Sequence, residues 1–249
     1  MPKIDAHYMR RVAAEFLVTY LFIFTICCNG LNDARSGGVG GDVRSGVSTG
    51  FAAVALIYCF GGLSGAHFNP AVTVGAMVGQ KMDFLTGSIY IGVQTLAGMA
   101  AVASLIALFP EAKGATLKAL QLSVPEGVST WQVVAMEFVL SFMLVMVIYG
   151  SAMGLKTVIT DTDIESQDEK AELISINKMR LNFAPIAIGL ALGYLCFLGG
   201  SISGGAFNPS RATAPVILEG KFTGLWMYWI GDCAGGAAAA LVYNYVLTN

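Results

Sequence analysis

Charge is what this sequence has least of. Only 12% of its 249 residues are Asp, Glu, Lys or Arg, against 55% apolar residues, and the mean hydropathy is positive. A soluble domain carries about twice that share of charge, so the chain reads as one whose solvent is a bilayer. The net charge of −2 is too small to draw an acidic or basic partner, and nucleic acid is not an expected partner. Cysteine is sparse too. Cys27, Cys28, Cys59, Cys196 and Cys233 all fall in apolar stretches, where a buried thiol is the ordinary reading, and no disulfide framework is expected. The first apolar stretch has the length of a membrane anchor and lacks a small-residue cleavage site, so no removable leader is expected. No catalysis, cofactor or metal is expected.

What the chain does have is long apolar runs. Six reach the roughly 20 residues that a spanning helix needs: about 11 to 28, 46 to 63, 84 to 109, 131 to 154, 182 to 200 and 222 to 246. Two shorter pieces, about 69 to 79 and 208 to 218, are long enough for half a membrane. Each short piece opens on one pattern: Ser64-Gly65-Ala66-His67-Phe68-Asn69-Pro70-Ala71 and Ser203-Gly204-Gly205-Ala206-Phe207-Asn208-Pro209-Ser210. A Gly-rich approach followed by Asn-Pro describes an irregular loop that turns into a helix, with Asn as N-cap and Pro at the first helical position. At membrane depth such a segment survives only when buried in protein or lining water. The paired segments therefore point to a membrane channel.

The order of elements repeats. Glu15-Phe16 opens the first run and Glu137-Phe138 the fourth, and each half reads span, span, Asn-Pro segment, span. Three spans per half is an odd number, so the second copy enters the membrane upside down and the two half-helices meet head to head near the midplane. The expected architecture is all-α: six transmembrane helices plus two re-entrant half-helices in an inverted 3+3 repeat. The whole chain, 1–249, forms one domain, with repeat one about 8–110, repeat two about 130–249 and an acidic connecting loop about 156–181. Gly87, Gly92, Gly98, Gly231, Gly235 and Gly236 are expected to let spans approach closely.

These residues resemble the aquaporin, or major intrinsic protein, family over essentially the whole chain. The resemblance is carried by the six spans, the two half-helices, Asn69-Pro70-Ala71, Asn208-Pro209-Ser210, Arg211 three positions after the second Asn, and the repeated Glu-Phe. Ser210 departs from the Ala common in the family and is small enough to stack in its place. The resemblance implies passive conduction of water, with small neutral solutes such as glycerol, urea or hydrogen peroxide as further permeants. It also implies a homotetramer with one pore per subunit. Asn69 and Asn208 cap the half-helices and donate to a water at the junction, where the positive helix ends disfavour cations and a proton wire. The selectivity filter it implies is Thr49, Cys196, Gly205 and Arg211. None of the first three is aromatic or His, which makes the ring wider and more polar than in water-selective relatives. Against this, Ala212 stands where glycerol facilitators carry Asp, and Tyr228-Trp229 matches the aromatic pair of water channels.

Glu15 and Glu137 lie inside apolar spans and need partners; by resemblance, each accepts hydrogen bonds from backbone amides of the re-entrant loops. A proton relay is the other reading. His67 either faces the inner vestibule or packs the loop. Gln94 is expected to pack inside its span, and Asp232 lies where relatives often have Pro, with no partner that the sequence names. The stretch between the fourth and fifth spans carries Asp161, Asp163, Glu165, Asp168, Glu169 and Glu172. It reads as a flexible acidic linker or as a gate over the inner mouth, with Thr160, Thr162 and Ser166 as phosphate acceptors.

Lys3, Arg10 and Arg11 argue for a cytoplasmic N-terminus, and six spans then return the C-terminus to the same side. The expected location is the plasma membrane or an internal membrane. Two alternatives stay open, a solute channel with little selectivity for water and a closed junctional protein, and the sequence speaks against a third, a secondary transporter. The last should carry ion-coupling carboxylates beside the Asn-Pro segments, and none is there.

Overall fold

Several of the helices begin where the sequence supplies a capping side chain. A computed structural model describes residues 4–38, 41–111, 113–122, 124–154 and 167–248. In chain order the helices are α1 (Ala6–Arg35), α2 (Gly41–Ser64), α3 (Pro70–Val78), α4 (Phe84–Leu108), α5 (Lys113–Leu120), α6 (Thr130–Ile148), α7 (Gln167–Gly199), α8 (Pro209–Glu219) and α9 (Leu225–Val242). Both α6 and α9 run on into a wider π-helical turn, Tyr149–Met153 and Tyr243–Leu247. The Asp5 side chain accepts from the Tyr8 amide at the start of α1. Ser129 and Gln132 form a capping box at the start of α6. Asp83 caps α4, and hydrogen bonds from Thr86 hold its carboxyl below the usual carboxylate range.

Among the described residues every regular element is helical, and α1, α2, α4, α6, α7 and α9 are long and apolar enough to span a bilayer. The chain is an integral multi-pass membrane protein. Its spans are longer than the apolar runs suggested, because α1 continues through the polar residues Asn29, Asn32 and Asp33 to Arg35. The segment expected as a loop to residue 181 is already helical from Gln167; its remaining part, 156–166, with Thr160, Thr162 and Ser166, lies outside the described residues.

The spans pack α1 on α2 and α4, α6 on α9 and α7, and α2 on α7. The half-helices cross between the halves: α3 lies against α9 and α8 against α4. This exchange ties the two repeats into one body. Close approach depends on missing side chains. A Cβ at Gly231 would stand 2.8 Å from the Val134 carbonyl oxygen, and one at Gly50 would stand 2.9 Å from that of Gly189. Gly92 has nothing within 4 Å and does not serve such a contact. Outward, Phe51 and Phe84 are 72% and 79% exposed, the arrangement expected of rings bathed in lipid.

Candidate functional site

Two irregular loops, 64–69 and 203–208, lead into α3 and α8. Each is bent by left-handed backbone: Gly65, Ala66 and Phe68 at φ +92°, +48° and +36°, then Gly204, Gly205 and Phe207 at +81°, +59° and +30°. For the non-glycine residues this conformation costs about 1 kcal/mol or more each and persists only when the surroundings hold it. The holding groups are buried side chains. Ser64 and Ser203 brace the bends by accepting from the Ala66 and Gly205 amides at 3.0 and 3.2 Å. Tyr90 and Tyr228 hydroxyls donate to the Ser64 and Ser203 carbonyls at 2.9 and 2.8 Å.

The carboxylates of Glu15 and Glu137 sit behind the loops with no exposed surface. Glu15 accepts from the amides of His67 at 3.3 Å and Phe68 at 2.6 Å, and from the Gln94 side chain at 2.8 Å. Glu137 accepts from the amides of Ala206 at 3.0 Å and Phe207 at 2.6 Å. A buried carboxylate with two or three donors is solvated by the protein itself, and the donors fix which way the loop carbonyls face.

The loops end at Asn69 and Asn208, both in extended backbone. Their side-chain oxygens cap α3 and α8 by accepting from the Ala71 and Ser210 amides at 2.9 and 3.0 Å, with Pro70 and Pro209 at the first helical position. Their side-chain nitrogens reach across the repeat axis. Asn69 Nδ2 donates to the Phe207 carbonyl at 2.6 Å, and Asn208 Nδ2 to the Phe68 carbonyl at 2.9 Å. Each amide nitrogen carries two hydrogens. One is committed to the opposite loop, and the other remains to donate elsewhere.

Toward the opposite mouth from the N-terminus, Arg211 in the first turn of α8 donates from Nη1 to the Leu120 carbonyl at 2.9 Å, at the end of α5. Thr49 of α2 is buried, and the Cys196 thiol of α7 donates to the Leu192 carbonyl at 3.3 Å. Gly205 lies in the second loop, against Gly199. On the N-terminal side a cavity of about 980 Å³ runs past Arg11, Lys81 and His67 to Asn69. His67 lines it while its Nδ1 pairs with Thr73 Oγ1 at 3.1 Å, so facing the vestibule and packing the loop are the same position.

One family pattern, described as Major intrinsic protein, matches residues 3–243 of the chain. The chain belongs to the major intrinsic protein family. It is 38% identical over 245 residues to aquaporin-B of Dictyostelium discoideum, covering 95% of this chain and 83% of that protein. It is 32% identical over 240 residues to aquaporin-2 of Bos taurus, covering 96% and 79%. Among solved structures, the aquaglyceroporin from Plasmodium falciparum matches with a TM-score of 0.75 over 97% of both chains. At 23% identity that likeness speaks for the fold alone.

Several partners in this major intrinsic protein escape a linear reading. Gln94, expected only to pack, donates to both Glu15 and Thr73, the latter at 2.9 Å. Helix α5, which supplies the carbonyl for Arg211, has no long apolar run to announce it. Asp232 is fully buried and accepts from the Ser141 hydroxyl at 3.1 Å. Trp229 donates to Thr213 at 2.9 Å. Aligning the two halves on Tyr90 and Tyr228 is the signal that sets Gln94 and Asp232 at matching positions.

Proposed function

We propose that this chain is a passive channel for water and small neutral solutes, with the single-file junction at Asn69 and Asn208. The observation that carries the reading is their reciprocal exchange: each Asn caps its own half-helix and donates to the carbonyl beside the other. That leaves one hydrogen on each amide for a passing water, at the point where two positive helix ends converge. A water held by both amides directs its own hydrogens away from the junction along both arms of the file, which breaks a proton wire, and the same field repels cations. Arg211 adds a fixed positive charge at the outer constriction.

The filter we assign is Thr49, Cys196, Gly205 and Arg211. Thr49 and Cys196 present a hydroxyl and a thiol where a ring would narrow the passage, which favours small polyols and urea as permeants beside water. The Tyr228-Trp229 pair speaks less strongly for strict water selectivity, because both side chains are engaged in holding the Ser203 carbonyl and Thr213. We place the N- and C-termini in the cytoplasm on the strength of Lys3, Arg10 and Arg11, and the subunit in a homotetramer by its family. The test is stopped-flow light scattering on proteoliposomes under an osmotic step. Rapid shrinkage with a low activation energy, without proton leak, is the expected result; shrinkage equal to that of protein-free vesicles overturns the reading.

A further inference from the structure

The two halves hold their loops with matching serines, tyrosines and glutamates, but the residue beside the second glutamate is of a different kind. Tyr90 and Tyr228 donate to Ser64 and Ser203, serines that each stand five residues before the junction Asn. Four residues after each tyrosine stand Gln94 and Asp232. In the first half, Gln94 donates to Oε1 of Glu15. In the second half, the residue at this position, packed against the helix of Glu137, is a second carboxyl, with no amide hydrogen to give.

That carboxyl has no other resolution in its surroundings. Asp232 has no exposed surface, its Oδ1 accepts from Ser141, and its Oδ2 is buried without a donor among the described residues. Glu137 stands one turn before Ser141 on α6, its Cβ 2.9 Å from where a Cβ on Gly231 would lie, and is equally buried. Neither takes part in an ion pair among the described residues. Two adjacent buried carboxylates with no cation beside them cannot both be charged at acceptable cost. Glu137 already accepts two backbone amides, whereas Asp232 accepts one hydroxyl.

We infer that Asp232 carries the one proton of this pair on Oδ2 and donates it to Glu137, so that a neutral aspartic acid does in the second half what Gln94 does in the first. Asp232 is thus a positioning residue for the Asn208 loop, acting through Glu137. The consequence is that an amide can replace it and an apolar side chain cannot.

Infrared difference spectra of reconstituted wild type against Asp232→Asn at neutral pH read the proton directly. A protonated-carboxyl C=O band should be present in wild type and absent from the variant. It should move when aspartate is labelled with carbon-13 at the side-chain carboxyl. Asp232→Asn should keep water permeability near that of wild type, and Asp232→Leu, close in size but without a donor, should lose most of it at equal protein density. A wild type showing only carboxylate bands, a band that ignores aspartate labelling, or an Asp232→Asn that loses flux as Asp232→Leu does, overturns the inference. The flux arm rests on the channel reading above. The spectrum does not, so a wild type without conduction but with the labelled band defeats that reading and leaves the proton on Asp232.

Discussion

Glu15 offers a perturbation whose size follows from its contacts. Its carboxylate receives three buried donors: the Phe68 amide at 2.6 Å, the Gln94 side chain at 2.8 Å and the His67 amide at 3.3 Å. The first two converge on Oε1 and the third on Oε2. In Glu15→Gln the amide oxygen can take the place of Oε1 and keep the two short bonds, while the new NH₂ group meets the His67 amide, donor against donor. One bond to a charged acceptor is then lost and the others become neutral, a cost of about 1.5–3 kcal/mol. Glu15→Ala removes all three acceptor contacts and leaves a void. At about 1–3 kcal/mol for each stranded donor, the cost is roughly 3–9 kcal/mol, the lower part applying if the loop relaxes to reach water. The expected order of thermal stability in detergent is wild type, then Glu15→Gln, then Glu15→Ala. Water permeability per folded subunit should fall in the same order, because the Phe68 carbonyl that receives Asn208 is set by this carboxylate. Phe51→Leu, a change at a lipid-facing ring, is the control and should alter neither. Glu15→Ala with wild-type stability and flux would refute the claim that this carboxylate holds the loop.

Other expectations follow from particular contacts. Mercuric ion should block flux through Cys196, which we assign to the filter, so Cys196→Ser should remove the inhibition while Cys59→Ser and Cys233→Ser keep it; persistence in Cys196→Ser would displace the filter assignment. Glycerol and urea uptake should collapse in Thr49→Phe with Cys196→His while water flux largely survives, and a wild type that conducts water but excludes both solutes would defeat the wide-filter reading. Asp83 has its folded carboxyl lowered by the Thr86 hydrogen bonds, so its contribution is present above the unfolded value near 4 and is lost as pH falls through the lower folded value. Asp83→Asn should remove that acid sensitivity of the α4 start, read by hydrogen exchange at Thr86 and Gly87, and an unchanged acid profile would show that the cap contributes nothing there.

The sequence by itself determined the class of this protein. Apolar runs of spanning length, a shortage of charge and two Asn-Pro segments in register constrain the backbone wherever they occur, because a bilayer demands satisfied amides and proline demands a helix start. Asn69, Asn208, Glu15, Glu137 and Arg211 were legible for the same reason: each is a polar group that apolar surroundings make costly unless something uses it. The partners were not legible. Gln94 meets Glu15 across 79 residues, and Asn69 meets the Phe207 carbonyl across 138. Nothing local in the chain marks Leu120 as the acceptor for Arg211, or Glu137 as the neighbour of Asp232. Those pairings depend on how helices pack within each half and cross between the halves, and only the packed tertiary structure decides which buried donor meets which acceptor.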